Sequence, residues 1–160
     1  MVYSIYRNAV MIGEKYIDFI ESQYGVNAII EIDFGSSAKK IEVFFDNGRN
    51  IKWFNVCNDK KNLEFRLNKN IYIHSNQRLI VDEILINCFE NLKINNNNNN
   101  NNAYFVFSTD SFNFYQMKFY KKESGKYNIL VPTYAYLEYN EDGFLEYLED
   151  YKNGLQIIME

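Results

Sequence analysis

The stretch SIYRNAVMIGEKYIDFIESQY, residues 4–24, decides which fold class the chain is read into. Ile5, Ala9, Ile12, Tyr16, Phe19 and Ile20 recur at three- and four-residue intervals, and Gly25 follows them. That spacing predicts a single apolar stripe on an amphipathic helix, stopped by the glycine. A helix here would cover one face of whatever strands come next.

The next segments do read as strands. Ile30, Ile32 and Phe34 alternate with Glu31 and Asp33, and Ile41, Val43 and Phe45 alternate with Lys40, Glu42 and Asp46. Both patterns have the period of two that half-buried strands require. Asn47-Gly48 favours a tight turn with positive φ and predicts a hairpin returning through residues 51–56. Leu63, Phe65 and Leu67, alternating with Glu64 and Arg66, give a fourth strand.

Ser75 is placed to cap a second helix over residues 76–93, with Val81, Leu85, Cys88 and Leu92 on one face. Eight consecutive asparagines, residues 95–102, then read as a solvated loop insertion, because asparagine competes with its own backbone for hydrogen bonds. Strands are expected at 104–107, 112–120 and 127–131, and a last helix at 141–152. The order α-ββββ-α-βββ-α, with hairpins and no repeated βαβ crossover, predicts an α+β fold: a largely antiparallel sheet with helices packed on one face. A single domain over 1–160 is expected, carrying the poly-Asn loop and an acidic C-terminal segment at 133–160.

Hydrophobic residues make up 47% of the chain and charged residues 24%, which places it among folded globular proteins rather than disordered ones. Twenty-four asparagines, with abundant Ile, Lys, Tyr and Phe, fit an AT-rich coding sequence. Aromatic richness is therefore weak evidence of function. No secretory leader pattern opens the chain, and the longest uninterrupted apolar run is AYFVF at 103–107. A cytoplasmic protein with no membrane association is expected, with Cys57 and Cys88 as free thiols.

Chemistry-bearing motifs are sparse. No GxxxxGK[ST] or GxGxxG is present. The stretch IEIDFGSSAKKIEVF, residues 30–44, has acids on adjacent strands, but Phe44 stands where a metal-dependent nuclease core would need a lysine. His74 is the only histidine, which rules out a multi-histidine metal site. No catalytic residue, metal site or cofactor is assigned. An enzyme using dispersed carboxylates or His74 remains one alternative. A nucleic-acid-binding domain stacking bases on Phe112, Phe114 or Tyr115 is another, opposed by a net charge of −4 and a pI near 5.1.

The charge is not evenly spread. Residues 133–160 carry a balance of −6 and the rest of the chain +2. As a helix, 141–152 would set Asp142, Glu146, Glu149 and Asp150 opposite Phe144, Leu145, Tyr147, Leu148 and Tyr151. Before it, Tyr134, Tyr136, Glu138 and Tyr139 interleave rings and acids. Tyrosine supplies contact area at small entropic cost, and a negative field speeds encounter with a basic surface. Tyr134, Tyr136, Glu138, Glu141, Asp142, Glu146, Glu149 and Asp150 are therefore the candidate partner-binding residues. The expectation is a non-catalytic protein-binding module or inhibitor whose partner is a basic protein, such as a nuclease or other nucleic-acid-binding protein. Immunity proteins and phage antagonists of host defence share this general character of size, acidity and missing catalytic motifs. Self-association is left open.

Overall fold

A computed structural model describes residues 1–48, 50–66, 79–88, 101–131 and 134–160. Thirteen strands form one sheet, and the one helix among the described residues is short. The chain begins with β1 (Val2–Arg7), β2 (Val10–Ser22), β3 (Gly25–Asp33), β4 (Ala38–Asp46), β5 (Ile51–Asn58) and β6 (Asn62–Arg66). β7 (Leu79–Val81) runs straight into α1 (Asp82–Cys88). β8 (Asn101–Phe107), β9 (Phe114–Glu123), β10 (Lys126–Val131), β11 (Ala135–Tyr139), β12 (Leu145–Asp150) and β13 (Leu155–Met159) complete it.

The strand order is β6-β5-β4-β3-β2-β1-β13-β12-β11-β10-β9-β8-β7. Two meanders thus radiate from a central pair, β1 with β13, made by the two ends of the chain. Every pairing is antiparallel except β7 with β8, whose parallel alignment needs the longer crossover that contains α1.

The α+β expectation is overturned: residues 4–24 and 141–152 are strands and turns, not helices. In the first case Asn8 and Ala9 both take positive φ, at 51° and 64°, and turn β1 back into β2 without a glycine. Ile5 pairs with Gly13 while Tyr6 pairs with Met11, so Ile12 is an extra, bulged residue. That insertion shifts the phase of the alternation and imitates a helical stripe. The stripe in fact splits across the sheet, with Ile5 buried and Tyr16 and Ile20 exposed.

The same device disguises β12. Glu138 pairs with Tyr147 and Tyr139 with Leu145, leaving Glu146 as the extra residue. Leu145 and Leu148, three apart, consequently both point inward. Turns bracket the strand: Phe144 N donates to Asn140 Oδ1 at 3.0 Å, and Gly154 takes φ 61° after Asn153. With partners available on both sides, Leu145 and Tyr147–Asp150 pair into the sheet rather than form an isolated helix.

Of the expected middle helix, α1 covers 82–88, with β7 in front of it. Its proposed cap Ser75 and the portion beyond 88 lie outside the described residues. So do His74, Leu67 and asparagines 95–100, whereas Asn101 and Asn102 open β8. The alternating segments at 30–33, 41–46 and 51–56 do fall in strands β3, β4 and β5, joined as hairpins, while Phe34 lies past the end of β3 and is exposed.

The sheet curls around α1. Phe54 of β5 and Phe65 of β6 lie near one end of the strand order, yet both rings meet Phe107 of β8 near the other, with centroids 5.0 and 5.4 Å apart. Ile17, Ile30, Ile41 and Val56 continue the concave core across four neighbouring strands. Burial of these side chains stabilises the fold by about 1.5–3 kcal/mol each relative to exposure. Cys57 and Cys88 are free. Among the described residues no helix is long and apolar enough to cross a membrane.

Candidate functional site

Lys15 is the first sign that the concave face does more than exclude water. It stands in register with Tyr3 on one side and Ile32 on the other, inside the core. A buried ammonium demands a partner. Glu83 of α1 supplies one, its Oε2 accepting from Lys15 Nζ at 2.8 Å, and Asn87 Oδ1 adds a contact at 3.4 Å.

Lys39, also on the concave face, reaches Asp110 Oδ1 at 2.6 Å, Thr109 Oγ1 at 3.1 Å and Glu83 Oε1 at 3.8 Å. Two strands, the helix and the turn after β8 are thus tied by one charge network. Burial alone would raise the Glu83 pKa, but Lys15 and then Lys39 hold its carboxyl well below the usual carboxylate range. For Lys39 burial works to lower the pKa, and Glu83 and Asp110 reverse it, so the ammonium is kept charged.

Asp82 is placed differently. It is 8% exposed and accepts two backbone N–H groups, Glu83 N at 2.8 Å and Thr109 N at 3.1 Å. Burial, then the charge of Glu83, pushes its carboxyl up to about 7. Among the described residues no lysine or arginine forms an ion pair with it.

These groups line one side of a cavity of about 470 Å³. Lys15, Asp82 and Glu83 contribute to that polar side together with Ser108, Asp110 and Asn113 of the turn following β8. The lining from β9 to β13 is mostly apolar, with Met117, Ile129, Ala135, Leu148, Leu155 and Ile157 beside Tyr115 and the turn-bound Asp150. Asp110, largely exposed, marks where the cavity reaches the surface.

The residues picked out from the acidic segment fall into three places. Tyr136, Glu138 and Glu149 share the convex face of β11 and β12, where Tyr136 pairs with Glu149 and Glu138 with Tyr147. Tyr134, just before β11, is exposed and sits 6.0 Å from the Tyr151 ring. Glu141 and Asp142 are in the turn after β11, and Glu146 is the exposed bulge residue. Asp150 points the other way: it is buried, and its carboxylate accepts from Lys152 N, Asn153 N and Asn153 Nδ2 at 3.0, 3.1 and 2.7 Å. It closes the β12–β13 turn, as a turn-initiating aspartate does. The convex patch is also not purely acidic, since Lys122 lies over the Tyr136 ring and Lys126 is 3.9 Å from Glu138.

The cavity itself was not visible in sequence. Its polar residues are scattered along the chain, with 68 positions between the bonded pair Lys15 and Glu83 alone. The one available signal was Lys15 itself, a lysine at a concave position of an otherwise apolar alternation. Among the described residues no group of three His, Cys, Asp or Glu is arranged to hold a metal ion.

No family model matches the chain, and no curated protein matches it. Among solved structures it is similar to the crystal structure of a DUF1089 family protein from Pseudomonas aeruginosa, with a TM-score of 0.52 and 10% identity. The similarity covers 82% of this chain and 86% of that one. At such low identity the likeness is one of fold alone.

Proposed function

We propose that the protein is a non-catalytic binding protein whose concave cavity takes a small molecule with an apolar body and a polar end. The mixed lining carries this reading: strands β9 to β13 offer mainly aliphatic side chains, while Lys15, Asp82, Glu83 and the turn after β8 offer charged and hydroxyl groups. Its volume of about 470 Å³ suits a small organic ligand, since such pockets commonly measure roughly 300–1,000 Å³ and combine an apolar wall with a few convergent polar groups.

The test is titration with the neutral fluorescent probe N-phenyl-1-naphthylamine. Saturable one-to-one enhancement is expected, and Ala135→Phe, which adds a ring to the apolar wall, should weaken it by about tenfold or more. Equal binding by a folded Ala135→Phe protein, or no binding by the natural sequence, removes the cavity as the site.

A second reading keeps the convex face as a docking surface for a basic protein. It is favoured by the placement of Tyr136, Glu138, Tyr147 and Glu149 side by side on β11 and β12, flanked by exposed Tyr134 and Tyr151. Charge reversal at Glu138 and Glu149 is its test.

A further inference from the structure

We infer that the polar end of the cavity receives a cationic nitrogen group, such as a primary ammonium, carried on an apolar body, with Asp82 as its counter-ion. This rests on the cavity being the binding site. Both lysines beside the cavity are already engaged: Lys15 by Glu83 and Asn87, Lys39 by Asp110, Thr109 and Glu83. An anionic ligand would have to displace Glu83 or Asp110 from those lysines while standing next to Asp82.

Asp82 has the opposite character. It lines the cavity, is more than nine-tenths buried, and among the described residues is bonded by the N–H groups of Glu83 and Thr109 and by the Thr109 side chain, all neutral donors. Neutral donors alone leave an ionised buried carboxylate without a counter-charge, and a charge-assisted hydrogen bond from a ligand cation would supply it. Glu83 and Asp110 line the same cavity but are balanced by Lys15 and Lys39, whereas Asp82 forms no ion pair among the described residues. The groups whose charge bears on Asp82 are Glu83 on α1, which raises its pKa, and Lys39 from β4, which lowers it, with Thr109 bonded to it from the turn; Tyr115 of β9, which shares the cavity lining, stays a neutral phenol.

A linked proton follows from this placement. In the empty cavity Asp82 holds a proton below about pH 7, because burial and Glu83 disfavour its charge. An ammonium seated beside it needs the carboxylate, so binding expels that proton. Affinity for the cation therefore rises as pH increases through about 7 and levels off above it.

Calorimetry of the full chain with octylamine, octanol and octanoate separates the possibilities, since the three share one apolar chain and differ at the head. Octylamine should bind about tenfold or more tightly than the other two, and Asp82→Asn should abolish that advantage. Octanol or octanoate binding as tightly as octylamine overturns the cationic assignment while leaving the cavity as the site. No binding by any of the three overturns both. Should Asp82→Asn fail to fold, the natural protein still decides: octylamine affinity that stays flat from about pH 5.5 to about pH 8.5 refutes Asp82 as counter-ion.

Discussion

Lys39 and Lys40 are adjacent in sequence and opposite in role. Lys39 points to the concave side, where its side chain is 10% exposed and braced by Glu83, Asp110 and Thr109. Lys40 points outward, 47% exposed, between Glu31 at 3.5 Å and Glu42 at 3.1 Å. Both make ion pairs. What separates them is access to water, which screens both partners of the outer pairs but reaches the inner network mainly through Asp110. The same contrast extends over the sheet: charges on the convex face stand in solvent, and those on the concave face are held by buried partners.

The sharpest way to break that contrast is to remove one inner charge. Lys15→Met keeps most of the apolar stem and deletes the ammonium, leaving Glu83 with Asn87 and the more distant Lys39. Loss of one partner from a buried pair destabilises by about 3–5 kcal/mol. Lys40→Met, which removes an outer charge with two acidic neighbours, should cost about 1 kcal/mol or less. Urea denaturation of the two variants measures both. If Lys15→Met shifts stability by no more than Lys40→Met, the concave network is not the structural element its burial implies.

The comparison also marks where sequence was readable. The segments from Ile30 to Phe65 keep a period of two apart from one bulge at Lys52, and Asn47-Gly48 announces the turn before it, so β3 to β6 stay legible from pattern. The bulges at Ile12 and Glu146 defeat the same reasoning, because one inserted residue turns a period of two into intervals of three and four. The turn at Asn8-Ala9 carries no glycine, so nothing punctuates the first hairpin. Asn153-Gly154 did carry the signal, but it fell at the end of a stretch whose rings and acids separate cleanly on a helical wheel. The cavity was illegible for another reason: it is assembled by curling the sheet until β2, α1 and β9 to β13 face one another, and no local spacing encodes that.

A smaller effect separates acids that look alike in sequence. Glu149 and Asp150 are neighbours in β12, yet Asp150 accepts three hydrogen bonds from the turn that follows it while Glu149 faces outward beside Gln156. Asp150→Ala should cost about 1.5–3 kcal/mol, since its bonds are to a charged acceptor inside the fold. Glu146→Ala, at the exposed bulge, should change stability by about 0.5 kcal/mol or less. Thermal unfolding of the pair distinguishes a turn-closing aspartate from a solvated glutamate. Equal shifts would mean that the turn is held by its backbone rather than by the carboxylate.

The smallest expected change in stability belongs to the convex face, and it is there that a functional loss would be most telling. Glu138→Lys with Glu149→Lys reverses two outward charges of the β11–β12 patch; it removes the 3.9 Å approach of Lys126 to Glu138 and sets like charges together. Because these pairs are screened, the double variant should stay within about 1 kcal/mol of the natural protein. A basic protein captured by the natural chain and lost by this variant, at unchanged stability, would assign the face to partner binding, since a surface that tolerates charge reversal structurally has no other reason to care about its sign. Capture that survives the reversal would return the tyrosines and acids of β11 and β12 to an ordinary solvated sheet face, and leave the concave cavity as the surface on which function rests.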